Sequence, residues 1–266
     1  MQRGGNVGST HGDAAERLSR RRFVLSATSG VAALTGCLNM DEPLVATDAR
    51  LRSRPGTPNQ TVATGLQALH LDVNRDGLLY VPSSYRPDHP LPLVVLLHGA
   101  TGSAAGWFGS YGQRAEANNV IFLAVDSRGT TWDAIRGTFS VDPEFIDRAL
   151  AWTFQRCAID AARVGIGGFS DGASYGLSLG LANGDLFRAL IGYSPGFVLE
   201  VERVGSPSVF LSHGTSDSIL PIESTSRSIV PLLRQRGYAV EFVEFAGGHE
   251  VPPAISARAI EWFLAL

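Results

Sequence analysis

Apolar residues gather in short runs, separated by longer stretches with helical periodicity. Leu93–Leu97 is continuously apolar, the pattern of a strand buried on both faces. Val120–Val125, Val164–Ile166, Ala189–Tyr193, Val209–Ser212 and Val240–Phe245 follow as further expected strands at intervals of 20 to 45 residues. Between them, Ala104–Asn118, Pro143–Arg156, Asp171–Asn183, Glu223–Arg236 and Pro252–Ala265 carry the spacing of helices. Strand–helix alternation requires crossover connections and so a mainly parallel sheet. Before it, Leu69–Val73 and Leu78–Val81 flank Asn74-Arg75-Asp76-Gly77, which predicts an antiparallel hairpin whose Asp-Gly turn needs positive φ. The expected fold is one doubly wound α/β domain over residues 65–266, with no internal repeat. Residues 194–208 are too few for a helical cap, and Asp126–Asp142 is the candidate for a loop covering the site.

The first 64 residues read differently. Ser19-Arg20-Arg21-Arg22-Phe23 precedes an apolar run ending at Leu34, about 12 residues and too short to span a bilayer. These flanks and this length predict an export signal over residues 1–36. The order resembles a twin-arginine signal, and Leu34-Thr35-Gly36-Cys37 resembles a lipobox with Cys37 lipidated. Residues 37–64, rich in Pro, Thr, Arg and Asp, read as a tether. The expectation is an exported lipoprotein held at the membrane through Cys37, with the envelope layer left open.

Composition narrows the chemistry. All 22 basic residues are Arg, which excludes Schiff-base and lysine-dependent phosphate-loop mechanisms. A formal charge of −3, falling to −6 after residues 1–36 are removed, disfavours nucleic acid as partner. Two Cys cannot build a cysteine-rich zinc site, and no cofactor or metal is implied. Cys157 reads as a small buried apolar residue. Oligomeric state is not legible.

Gly168-Phe169-Ser170-Asp171-Gly172 lies between an expected strand and an expected helix, where a G-x-S-x-G places Ser170 on a strained turn facing a helix N-terminus. His213-Gly214-Thr215-Ser216-Asp217 and Gly247-Gly248-His249 follow two later strands. Ser170, Asp217 and His249 occur in the chain order of the α/β-hydrolase triad, and all three follow strand C-terminal ends, where open parallel sheets bind ligands. His249 would take the Ser170 proton, and Asp217 would orient the imidazole. Asp126 is a rival acid. Backbone N–H groups of Ala100 and Asp171 are the candidate oxyanion hole, with Thr101 as substitute for Ala100. Trp132 and Phe197 are candidate walls of an acyl or alcohol pocket, against the alternative that such aromatics are core. His98 and His213 read as turn-shaping residues, because no metal-ligand spacing accompanies them.

From about Tyr80 to His249 the chain resembles the α/β-hydrolase esterases grouped with polyhydroxybutyrate depolymerases and feruloyl esterases, the phospholipase/carboxylesterase-like group. The resemblance rests on Tyr80-Val81-Pro82, Leu96-Leu97-His98-Gly99, Thr131-Trp132-Asp133, the Gly168–Gly172 elbow, His213–Asp217 and Gly248-His249. It implies an α/β-hydrolase domain that cleaves carboxylic esters through an acyl-enzyme at Ser170. Two features depart from the pattern. Ala173 stands where many relatives carry Gly, and Cys157 lacks a partner for the disulfide of secreted polymer depolymerases. Short-chain, aryl or sugar esters are therefore expected over polyesters. A serine peptidase of the same fold and a non-catalytic binding lipoprotein are the alternatives, and transacylation stays open.

Overall fold

The computed structural model describes residues 49–266. The expected export signal and the expected lipidation site Cys37 lie outside the described residues. Eight strands form one sheet: β1 (Gly65–Ala68), β2 (Gly77–Val81), β3 (Leu91–Leu97), β4 (Ile121–Val125), β5 (Ile159–Phe169), β6 (Ala189–Tyr193), β7 (Ser208–Gly214) and β8 (Val240–Phe245). Their order is β1-β2-β4-β3-β5-β6-β7-β8. The β1–β2 and β2–β4 pairs are antiparallel, and every other pair is parallel.

The helices are α1 (Phe108–Asn118), α2 (Asp133–Arg136), α3 (Val141–Arg156), α4 (Asp171–Ala182), α5 (Ser226–Gln235) and α6 (Pro253–Leu264). β3 explains why its sequence is apolar throughout. Leu93, Val95 and Leu97 face a core shared with α3, α4 and α5, whereas Val94 and Leu96 face one shared with α1 and α6. Both faces are covered, so neither side of the strand can be polar. The doubly wound expectation holds, and no separate cap stands over the sheet among the described residues.

Four expectations change in detail. The hairpin forms between β1 and β2, not from Leu69–Val73, and its connection is an eight-residue loop, 69–76. The Asp76 carboxylate accepts from the N–H groups of His70 (2.7 Å) and Leu71 (3.0 Å), which holds that loop off the ladder. Positive φ falls on His70 (55°), while Gly77 is simply the first residue of β2. Ala104–Trp107 winds as a 3-10 turn ahead of α1.

The stretch expected as a tether has no helix or strand over residues 49–64, yet it is docked on the domain. Asn183 grips it from both sides, accepting from Leu51 N–H at 2.8 Å and donating to Ala49 O at 2.7 Å. Asn59 and Gln60 N–H both reach Gln155 O. The segment Asp126–Asp142 is likewise no lid. It contains α2 and buries Trp132 and Phe139 in the core.

Candidate active site

Ser170 sits between the last residue of β5 and the first of α4, with φ 57° and ψ −120°. That conformation is strained for any residue bearing a Cβ. Close packing of three backbone segments imposes it. A Cβ on Gly172 would overlap the carbonyls of Leu97 and His98, and one on Gly168 would overlap Gly172 O. The two elbow glycines thus let β3, β5 and α4 converge, and Ser170 N–H is fixed to Tyr193 O of β6 (2.9 Å).

The sheet then gathers the other two residues. Asp217 lies in the turn after β7 and His249 in the loop after β8. The two loops are stitched together by Thr215 N–H to Phe245 O and Ser216 N–H to Gly247 O, both 2.9 Å. His249 Nε2 lies 2.9 Å from Ser170 Oγ, and His249 Nδ1 lies 2.6 Å from Asp217 Oδ2. Because Asp217 accepts at Nδ1, that nitrogen carries the proton and Nε2 is free to accept from Ser170. Ser170 is only 9% exposed. Burial pushes the Asp217 pKa up, but hydrogen bonds from Leu220 N–H, His249 and Ile219 N–H outweigh it and hold the carboxyl below its usual value. The Phe169 ring packs on His249, with centroids 4.6 Å apart.

The turn after β3 lies against Ser170, since a Cβ on Gly99 would sit 3.3 Å from Ser170 Cβ. Thr101, at φ 60°, directs its N–H to Thr130 O (2.7 Å). No acceptor faces Ala100 N–H among the described residues. The geometry therefore favours Ala100 over Thr101 as a free donor. Asp171, the first residue of α4, has an N–H with no helical acceptor. Its carboxylate accepts from Thr131 Oγ1 at 2.6 Å.

This turn is braced by Arg75, which sequence reasoning missed, and by His98. Arg75, from the β1–β2 loop, donates to Gly102 O (3.1 Å) and to Ser127 O. His98 Nδ1 lies 2.7 Å from Gly99 O, so it carries the proton, and Nε2 accepts from Ser127 N–H (3.0 Å). Burial lowers the His98 pKa and keeps it neutral beside Arg75. The turn-shaping role expected of His98 fits this arrangement. No pattern around Arg75 marks it, because its partners lie 27 and 52 residues away.

Other candidates fall elsewhere. Asp126 Oδ1 accepts from Ala104 N–H at 2.6 Å, which makes it a brace for the 3-10 turn, apart from the Ser170–His249–Asp217 chain of hydrogen bonds. Trp132, expected as a pocket wall, is 0% exposed, stacks on Tyr175 and donates from Nε1 to His98 O (2.9 Å). The core alternative is the correct one for Trp132. Phe197 is 38% exposed and lies outside the cavity beside the triad. That cavity, of about 300 Å³, is walled by Gly99, Trp107, Tyr111, Phe169, Val251 and Pro253, with Gly102, Ser103, Gly106 and Ser110 as smaller neighbours. Trp107 and Tyr111 meet edge to face. No cluster of His, Cys, Asp and Glu that could hold a metal occurs among the described residues.

In sequence, no curated protein matches the chain. In structure, it is similar to esterase PE8, with a TM-score of 0.59 and 22% identity over 73% of this chain and 99% of that one. An S-formylglutathione hydrolase from Staphylococcus aureus is similar at a TM-score of 0.61 and 15% identity, over 76% of this chain and 98% of that one. A ferulic acid esterase from Anaeromyces mucronatus gives 0.56 and 15%, over 76% and 88%. At these identities the likeness establishes the α/β-hydrolase fold. The family model described as Phospholipase/Carboxylesterase matches residues 132–265, just over half of the chain. That span takes in the elbow, the acid turn and the histidine loop, and the chain accordingly belongs to the phospholipase/carboxylesterase family and is a carboxylic ester hydrolase.

Proposed function

We propose that the protein hydrolyses short-chain or aryl carboxylic esters through an acyl-enzyme on Ser170. The observation that carries the reading is the chain of hydrogen bonds Ser170–His249–Asp217 at 2.9 and 2.6 Å, set on a strained elbow beside two amides free to donate. Ser170 Oγ attacks the ester carbonyl as His249 Nε2 takes its proton. The tetrahedral oxyanion is held by the N–H groups of Ala100 and Asp171, the latter at the positive end of the α4 dipole. His249 then returns the proton to the departing alkoxide. Water repeats the sequence on the acyl-enzyme and releases the acid. Asp217 keeps the imidazole oriented and stabilises its charged form without taking the proton.

The cavity next to the elbow supports a small substrate group. At about 300 Å³ it is near the lower limit of small-molecule sites, and a dry cavity of roughly half that volume already admits benzene. That volume suits an aromatic or short aliphatic group, and a long acyl chain would have to extend beyond it. The test is hydrolysis of p-nitrophenyl esters from acetate to palmitate, beside Ser170→Ala. Turnover concentrated on short or aryl esters and lost in the variant supports the reading. Preference for palmitate, or activity surviving in Ser170→Ala, overturns it.

For location, the sequence supports an exported lipoprotein anchored through Cys37. Incorporation of labelled palmitate that disappears in Cys37→Ser is the expected result, and unlabelled wild-type protein in the expressing bacterium refutes it.

A further inference from the structure

His213 takes no part in the steps above, yet it lies against the acid that orients the catalytic imidazole. It is the sixth residue of β7, is 0% exposed and makes three polar contacts. Nε2 lies 2.8 Å from Leu220 O and 3.2 Å from Asp217 Oδ2, and Nδ1 lies 2.7 Å from Ser226 Oγ at the start of α5. A backbone carbonyl and a carboxylate can only accept, so the proton of the neutral ring resides on Nε2. Nδ1 must then accept from the Ser226 hydroxyl. Burial, the largest influence, lowers the His213 pKa and keeps the ring neutral.

We propose that His213 is a positioning residue for the ester hydrolysis, closing the acid turn onto Asp217, with Ser226 fixing its tautomer. This rests on the triad assigned above. The turn 214–220 is held at one end by Asp217 Oδ1, which accepts from Ile219 N–H (2.9 Å) and Leu220 N–H (2.8 Å). His213 holds the carbonyl of the same Leu220, so Leu220 is fixed through both of its backbone polar groups. The Nε2–H also places positive potential beside Oδ2, the oxygen that His249 Nδ1 reaches at 2.6 Å. His213 thereby moderates the pull of Asp217 on the imidazole as well as aiming it.

Other charges near the ring are accounted for. On β8, Glu244 stands opposite His213 in the ladder but is bound by Arg227 of α5 at 2.6 Å. On β6, the facing strand positions Gly192 and Tyr193 and the following Ser194 bring no carboxylate or cation. Glu250, next to His249, is turned to Gly248 N–H. Asp217 and His249 are the ionisable groups left to respond.

The experiment compares His213→Asn, His213→Gln, Ser226→Ala and Ser170→Ala in the full-length chain, reading kcat, KM and the pH profile of kcat/KM on a short p-nitrophenyl ester. The Gln amide nitrogen falls near the position of Nε2 and can still reach Leu220 O, whereas that of Asn falls near Nδ1 and cannot. His213→Asn is expected to lose on the order of 100-fold in kcat with KM little changed, because misplacing a catalytic group by about 1 Å costs that much. Its acid limb should move to higher pH, because Asp217 then draws more strongly on the imidazolium. His213→Gln should recover most of the kcat, and Ser226→Ala should show a smaller loss of the same kind. A folded His213→Asn with wild-type kcat and an unmoved acid limb overturns the proposal. So does Gln no better than Asn, or a loss confined to KM. If His213→Asn does not fold, Ser226→Ala decides, and an unchanged kcat there refutes the proposal. Activity in Ser170→Ala would instead overturn the triad itself, so the two failures are distinguishable.

Discussion

The strained elbow makes a stability prediction that is independent of substrate. Ser170→Ala and Ser170→Gly both remove the hydroxyl and its bond to His249, so their difference isolates the backbone. Alanine must still hold a Cβ at φ 57° and ψ −120°, whereas glycine has none. A residue in a region that only glycine readily enters stores about 1–3 kcal/mol. Glycine gives back about 0.4–1 kcal/mol through the greater freedom of its unfolded chain. From the middle of these ranges, Ser170→Gly should be more stable than Ser170→Ala by about 1–2 kcal/mol, although neither turns over ester. For a domain of this size, 1 kcal/mol moves Tm by about 2–4 °C, so a difference of roughly 2–8 °C is expected. Thermal unfolding followed by circular dichroism, with urea titration as a second measure, reads it directly. Alanine equal to or more stable than glycine would refute the reasoning, since the elbow would then store no strain to release.

Further outcomes follow from the buried polar groups. Burial lowers the pKa values of His98 and His213 below the ordinary 6.5, so the unfolded chain takes up protons that the folded one does not. Their contribution to stability is complete above pH 6.5 and is lost as pH falls through the folded values; Asp217, also lowered, adds a loss of the same sign at more acidic pH. A urea midpoint that stays flat from pH 7.5 to 5 would contradict this. Trp132→Phe keeps the packing on Tyr175 but leaves His98 O without its donor, which should cost about 1–3 kcal/mol by urea denaturation. A change under a few tenths of that scale would mean the indole N–H is dispensable. The Cys157 thiol, pushed up to about 12 by burial, should ignore Ellman's reagent in the native protein and react once urea unfolds it, and rapid native labelling of Cys157 would sink that expectation.

The sequence by itself determined the centre of the sheet, because a strand covered on both faces has to be apolar, and β3, β4 and β6 announce themselves that way, whereas β8 at the sheet edge mixes glutamates with apolar residues. It also let Ser170, Asp217 and His249 be read as neighbours, because a parallel sheet delivers whatever follows its strand ends to one edge, however far apart in the chain. The elbow was readable because close backbone approach permits only glycine at positions 168 and 172. Where polar contacts span long separations, the chain was mute. Nothing beside Arg75 reveals that its guanidinium braces a turn 27 residues away, and nothing in residues 49–64 reveals that Asn183 holds them. Trp132 and Phe197 are both aromatic and both close to strand ends, yet one is sealed in the core and the other faces solvent. Apolarity states a preference for burial, but only packing assigns the place. The choice of Ala100 over Thr101 turned on which amide already had an acceptor, and His213 gained its meaning from a carboxylate and a carbonyl folded back onto its ring. Hydrophobic pattern is a local property of the chain; the direction and partner of a hydrogen bond belong to the assembled fold.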